Sequence, residues 1–563
     1  MNIWKKIQRL WINFSIKEKL WSLVCLSLII LSLFKLFGFL LNKITILQPD
    51  TGGTLNYGVW ETPKTINPVI SQNNDTEQEL INMIFSGLIK ENGKGEFENN
   101  LADDIIINKE RTVYEVYLKD NVYFHDGKKL TADDVIFTVS LLKNPDYKSP
   151  YLSLFKDVKI EKLGELMVKI TVPVNQSNFY NYLDFKIIPK HLWENIAFDQ
   201  FSTHDLNIHP VGSGPYMVSK IQKNKTGKIV GITLKRNRKY FQNTYIDKIN
   251  IQIFDSMENA FVAFVKGKIN LIKELTPYQK DLIHNKNKIK INHIILPRYY
   301  AIFLNQTNLL LSNVKIAKVL DSAINKQNII DSIFFGEAEL LNLPISKDFI
   351  GHNKELNKSF YDVKSAKEQL KALGFEDRDK DGVLEKWNGK NKTDLEFSLL
   401  LPSNNELIHL ADMIKKDWEQ IGVKVYLQIV PLNELHRDYL KTRNYDALLF
   451  GETYTVSPDL YYFWHSSQAS SAGLNLSSYK NLALDSILEL NHTTIDKDQI
   501  NKNLTEIQDI LFTDIPAIFL NNPYYINACY RKIKIEDNQI YNSFSSSLVN
   551  IDKWYINQKR SIK

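Results

Sequence analysis

An α/β protein of two or three domains behind one N-terminal membrane helix is what the sequence predicts, and three observations predict it. The 563 residues are 44% apolar and 24% charged, a globular composition on a chain too long for one ordinary core. Residues 20–41 form an apolar run that only Lys35 interrupts with a charge, long enough to cross a bilayer. Residues 395–451 alternate strand-like and helix-like periods in the order βαβαβ, the pattern of a parallel sheet covered by helices.

The anchor comes first. Lys5, Lys6, Arg9, Lys17 and Lys19 precede the apolar run against the single acid Glu18, which keeps the N-terminus cytoplasmic and sends the rest outward. Trp21 suits the interface. No small-residue cleavage site follows Leu41, and Cys25 sits near the start of the run behind Val24, where a lipid-modified cysteine does not belong, so an uncleaved anchor with a short spacer to residue 51 is expected. The formal net charge is +6, but residues 1–50 carry seven basic and two acidic residues. The remaining 63 basic and 62 acidic residues leave a near-neutral ectodomain, which argues against nucleic-acid binding. Cys25 and Cys529 are the only cysteines, too few for a disulfide framework or a cysteine zinc cluster.

Residues 52–60, GGTLNYGVW, read as a glycine-led strand with Leu55, Tyr57 and Val59 on one face, and ETPKTINPVI after it as a proline-punctuated loop. Residues 76–89 suggest a helix, 113–118 a strand and 156–172 further strands. Between them YFHDGKKLTADDVIFTV, residues 123–139, gathers His125, Asp126, Asp133 and Asp134, residue types that could serve acid/base or metal chemistry. The local pattern favours structure: Asp126-Gly127 is a turn dipeptide, Thr131 an N-cap, and the paired aspartates meet the positive end of the helix that begins there. VGSGPYMV at 211–218 places Ser213 between two glycines in a tight turn, not in a nucleophile elbow. Ile316, Leu320, Ala323 and Ile324 recur as one buried helical stripe.

In the βαβαβ unit, LEFSLLL, VKVYLQIV and YDALLF are the strands. Leu407, Leu410, Ala411, Ile414, Trp418 and Ile421 mark the buried face of the first helix, which Gly422 ends, and Pro431 opens the second. Ligands of open parallel sheets bind beyond the carboxyl ends of the strands, so the loop after Phe450, GETYTVSPDLYYFWHSS, is a candidate site. There Trp464 can stack on a ligand or fill the core, and His465 stands beside it. Asp377, Asp379 and Asp381 before Gly382 form the front half of a calcium loop, although its twelfth position is Asn388 instead of a bidentate glutamate. No HExxH zinc motif and no phosphate-binding loop is present.

The stretch FHDGKKLTADDVIF resembles the F-H-D-G-x-x-L-T-A-x-D-V-x-F signature of solute-binding protein family 5, the extracytoplasmic receptors of peptide and nickel ABC importers. VGSGPY, LKRNRKYF, KGKINLI and YYAIFLNQ resemble further family patterns in the same order. The resemblance implies a type II periplasmic-binding-protein-like fold, two lobes with a hinge and an extra inserted domain. Domain I would comprise residues 52–75, 196–298 and 520–563, the inserted domain II 76–195, and domain III 299–519. It implies capture of a peptide-like solute between the lobes and delivery by a monomeric, membrane-anchored receptor to a permease pair powered by ATPases, without catalysis and without a required cofactor. A ligand-gated sensor and a nickel-chelate binder of the same fold are the alternatives. The resemblance places ligand contacts at Trp60, Glu61 and Thr62, at Asn305, at Gly451, Glu452, Thr453, Tyr454 and Thr455, and at Trp464 and His465; calcium on Asp377, Asp379 and Asp381 would be structural. Family members commonly fix a peptide's ammonium with an aspartate after the third strand, yet no aspartate precedes Asp459 here. Either Glu452 takes that part or the ligand has no free amine in the pocket; the second is expected.

Overall fold

The computed structural model describes residues 11–562 except 72–73, 174–178, 286, 357, 359, 456–457, 471–472, 495 and 536–538, and side chains except also 38–42, 539 and 544. Lys5, Lys6 and Arg9 of the basic flank therefore lie outside the described residues. A 29-residue helix, Ile16–Ile44, leads in; its segment Ile16–Phe37 is long and apolar enough to cross a membrane and buries none of its residues in the protein. It runs directly into the strand Thr45–Asp50, which pairs antiparallel with the C-terminal strand Asn557–Ile562.

Two large sheets organise the rest of the chain. The eight-stranded sheet is centred on Thr54–Val59, flanked by Leu271–Ile272 and Lys248–Ile253 in parallel, with Leu55, Tyr57 and Val59 all buried as their alternation requires. A four-stranded antiparallel sheet, Ala102–Ile107, Val113–Leu118, Met167–Thr171 and Lys159–Gly164, packs beside it with the helix Ala132–Leu142. The six-stranded sheet runs Ala338–Leu340, Ala517–Pro523, Arg298–Leu304, Ala447–Thr453, Glu396–Pro402, Lys424–Val430. Its last three strands are the βαβαβ unit. The helix Asn405–Gln420 buries Leu407, Leu410, Ala411, Ile414 and Trp418, the Trp418 indole donates to the Leu320 carbonyl at 2.9 Å, and Gly422 takes the left-handed conformation (φ +81°) that the helix exit needs.

The chain passes between these sheets twice, at adjacent places. Ile289–Ile295 continues through Leu296 and Pro297 into Arg298–Leu304, and Ala517–Pro523 continues through Tyr524 into Tyr525–Tyr530. The two crossings run side by side, because their strands are antiparallel neighbours in both sheets. Cross-bonds tie them: Asn522 donates to the Leu296 carbonyl at 2.9 Å and Arg298 to the Pro523 carbonyl at 3.0 Å. A double strand of this kind is a hinge, since a few residues absorb the rotation of one sheet on the other.

His125 is a structural wedge. The Gly212 N–H donates to its Nδ1 (3.2 Å), so Nε2 carries the proton toward the Gly214 carbonyl (3.1 Å), and burial pushes its pKa down to about 4. Both glycines are required: a Cβ on Gly212 would stand 2.0 Å from the Ile84 carbonyl oxygen, and one on Gly214 2.6 Å from the Ile84 carbonyl carbon. Asp134 accepts from the Thr131 N–H at 2.9 Å and from the Lys190 N–H at 2.9 Å, while Asp133 pairs with Lys162 on the surface. The helix expected over 76–89 spans Asp75–Ile84; Gly214 donates to the Ile84 carbonyl, Phe85 turns extended, and Ile89–Glu91 is a strand.

Candidate functional site between the lobes

A cavity of about 510 Å³ lies between the lobe that carries the four-stranded sheet and the lobe built on the six-stranded sheet. Lys94, Glu96, Phe97, Arg111, Tyr180 and Asn181 line one side. Asp348, Phe349, Ile350, Pro458, Asp459, Asn491, Thr494, Lys497 and Ile500 line the other, and Asn542 completes it. The lining mixes apolar walls with charges of both signs. Glu96 and Lys497 meet at 3.2 Å, an ion pair from lobe to lobe.

Asp459 reaches the cavity from the loop beyond the strand Ala447–Thr453, at the carboxyl end of a parallel strand, as the topology rule requires. One of its oxygens accepts from the Tyr461 N–H at 3.2 Å, and the other lies 2.7 Å from His492 Nδ1. That hydrogen bond raises the His492 pKa despite partial burial. The Tyr461 ring lies between two imidazoles, 4.3 Å from His465 and 5.0 Å from His492.

Several expected contacts are placed elsewhere. Glu452 does not line the cavity: it is buried under Tyr299, its partner in the strand ladder, whose hydroxyl donates to it, and burial pushes its pKa up to about 8. Other carboxylates do line the cavity, Glu96 on one side and Asp348 and Asp459 on the other, and of these Asp459 follows the strand Ala447–Thr453. Tyr454 backs Phe349, ring centroids 5.9 Å apart, and its hydroxyl accepts from the Ser346 N–H. Trp464 fills the core, stacked on Phe303 at 6.3 Å and packed on Phe519 at 5.9 Å. His465 is engaged by Ser467 (2.8 Å) and Glu489 (3.3 Å). Gly451 lets the Tyr300 ring approach, where a Cβ would meet it at 2.9 Å. Thr453 is exposed at the strand end opposite Arg298 and Thr455 is half-buried beyond it; Val456 and Ser457 lie outside the described residues.

Asn305 is at the end of its strand remote from the hinge. Its amide donates to the Arg443 and Tyr445 carbonyls at 3.0 and 2.7 Å, which leaves it no part in the cavity. Trp60 and Glu61 line a separate narrow crevice with Asp75, Glu79, Lys273 and Glu274. There Glu61 accepts from the Asp75 N–H at 3.0 Å, the Thr62 carbonyl accepts from Asn74, and Lys273 pairs with Glu79. Burial, aided by Glu274 and Glu61, pushes the Asp75 pKa up to about 7. Tyr180, Asn181 and Arg111 were missed from the sequence, since nothing local marks a residue that reaches across a cleft. Among the acidic loop residues, Asp377 and Asp379 converge with Glu385; Asp381 lies against Asp379 but outside that set, and its carboxylate accepts from the Val383 N–H at 2.8 Å.

Residues 96–473 match the family model of bacterial extracellular solute-binding proteins, family 5. The oligopeptide-binding protein AppA of Bacillus subtilis is 30% identical over 519 residues, which cover 90% of this chain and 92% of AppA. The structure of that protein in complex with a nonapeptide superposes with a TM-score of 0.67 at 27% identity, covering 91% of this chain and all of the other. NikZ of Campylobacter jejuni in complex with Ni(L-His) gives a TM-score of 0.67 at 26% identity, covering 89% and 99%. The chain therefore belongs to solute-binding protein family 5, and its two hinged lobes are the type II periplasmic-binding fold expected from the sequence.

Proposed function

We propose that this protein is a membrane-tethered receptor that closes on a peptide between its lobes and hands it to an ABC permease pair driven by ATPases. The observation that carries the reading is the cavity at the hinge-linked interface, with Asp459 on one wall and Arg111 on the other, charges of opposite sign suited to the two ends of a zwitterionic chain. The likeness to an oligopeptide-binding relative over nine-tenths of the chain supports the same class of solute. Asp459 takes the ammonium in this reading. The apolar Phe97, Phe349 and Ile350 accept side chains, and closure is completed by Glu96 and Lys497. The helix Ile16–Ile44 remains as a single-pass anchor with the lobes outside the membrane, and the receptor acts as a monomer that breaks no bond in its solute.

Calorimetry on the full-length protein in detergent micelles, with short peptides matched as free amines and N-acetylated forms, tests this. The expected result is saturable 1:1 binding of free peptides, weakened at least tenfold by acetylation, or about 1.4 kcal/mol. No heat with any peptide, alongside tight binding of a metal chelate, would overturn the peptide reading.

A further inference from the structure

The acidic loop at 376–383 is folded back by left-handed Lys380 (φ +65°) and Gly382 (φ +89°), then closed by the antiparallel hairpin Glu385–Asn388 with Asn391–Asp394 and by a bridge between Glu376 and Glu385. This closure turns Glu385 inward until only 1% of it is exposed. One of its oxygens accepts from the Arg378 N–H at 3.0 Å and faces the Trp387 indole N–H at 3.4 Å. The other, Oε2, is sealed from solvent without a hydrogen-bond partner. A buried carboxylate oxygen left in that condition is costly, and the cost falls away when a cation takes it up.

The surroundings supply the rest of a cation site. One carboxylate oxygen each from Asp377, Asp379 and Glu385 lies within 4.8 Å of the others. That spacing brings the three oxygens within reach of one ion, and a set of oxygens without histidine or cysteine suits a hard cation such as calcium. Lys392 pairs with Asp379 at 2.8 Å and with Asp394 at 3.0 Å, while among the described residues neither Asp377 nor Glu385 is in an ion pair.

We propose that Asp377, Asp379 and Glu385 form a calcium site in which the ninth position of the loop, counted from Asp377, supplies the buried ligand that the twelfth does not. Asp381 shapes the turn and does not ligate. The site locks the loop to the hairpin at the rim of the six-stranded lobe; none of its residues lines the cavity between the lobes, so it acts on stability and not on solute.

Terbium luminescence on the full-length protein, stripped with a chelator in detergent micelles, tests the assignment, because the Trp387 indole sits against Glu385 and can sensitise a lanthanide bound there. The expected result is sensitised emission that calcium chloride displaces and that W387F removes, while calcium still raises the melting temperature of W387F. E385Q, and independently D379N at an exposed position, should each weaken calcium at least about tenfold, whereas D381N should stay within about threefold of wild type. Emission that calcium does not displace, emission that survives in W387F, or equal losses in D381N and D379N would overturn the proposal. If E385Q fails to fold, D379N and D381N still decide it.

Discussion

Glu452 and Asp459 stand seven positions apart, and the chain uses them in opposite ways. Glu452 is the last but one residue of a strand, opposite Tyr299 in the ladder, so the pleat commits its side chain to the inner face of the sheet. There it is buried with the tyrosine hydroxyl, and with its pKa at about 8 it holds its proton at neutral pH. Asp459 lies beyond the strand, where no ladder dictates direction, and its loop turns it to the cavity with His492 as its partner. The end of the sheet, and not closeness in sequence, separates a carboxylate buried inside the lobe from one that faces the cavity between the lobes.

Four measurements put this contrast to the test. The largest effect is expected from Asp459→Asn: free-amine peptides should lose a hundredfold or more in affinity, about 2.7 kcal/mol, while N-acetylated peptides change little. An equal loss for both would reduce Asp459 to a residue that shapes the wall. Next is the pH dependence of Glu452. Its folded pKa is raised, so the folded state binds more protons between the ordinary carboxylate range and about 8, and stability falls as pH rises through that window. Asp75 and Glu91, both pushed up to about 7, act in the same direction, so the difference between wild type and Glu452→Gln is the quantity to follow by chemical denaturation. At pH 9 the glutamine variant should be the more stable by a few kcal/mol, at about 1.4 kcal/mol per pKa unit, with solute affinity unaltered near neutrality. A variant that loses stability in parallel with wild type would place the titration elsewhere.

Smaller is Tyr299→Phe, which removes the donor to a buried carboxyl and should cost about 1–3 kcal/mol of unfolding free energy with little change in binding. The smallest is His492→Gln. Because Asp459 raises the His492 pKa, the contribution of the pair is present at low pH and lost as pH rises through the raised value. The variant should therefore fall below wild type by at most about 1 kcal/mol at pH 5 and match it at pH 9, as a half-buried pair warrants. A deficit that grows with pH would reverse that assignment.

Legibility in the sequence tracks the range of the interactions concerned. The βαβαβ unit, the Asp126-Gly127 turn and the Thr131 cap rest on periodicities and turn chemistry within a few residues, and each stands in the structure as expected, whereas the contacts of His125 with Gly212 and Gly214 come from far along the chain. The strand–loop rule pointed to the loop after Phe450, and Pro458 and Asp459 of that loop line the cavity. It did not tell lining from core within that loop, because Glu452, Tyr454 and Trp464 are chemically good ligands whose burial depends on Tyr299, Phe349 and Phe303, far away in sequence. Glu385 escaped for a related reason: a calcium-loop template looks at position twelve, and only the hairpin register shows that position nine is the one turned inward.

The strand Tyr525–Tyr530 is inserted between Ile289–Ile295 and Leu271–Ile272, hydrogen-bonded to both. Its two neighbours are thus made long before it. At synthesis rates of about 5–20 residues per second, the intervening stretch of roughly 230 residues keeps that slot open for on the order of ten to fifty seconds. For that interval the eight-stranded sheet presents unpaired strand edges, a hazard for sticking to other chains. The six-stranded lobe, by contrast, receives its last strand in chain order, Ala517–Pro523, just before the slot is filled. Completion of both sheets and of the hinge is therefore confined to one late stretch: a chain that stops before residue 517 leaves both sheets incomplete, and one that stops at 523 leaves the six-stranded sheet whole and the slot beside Leu271–Ile272 open.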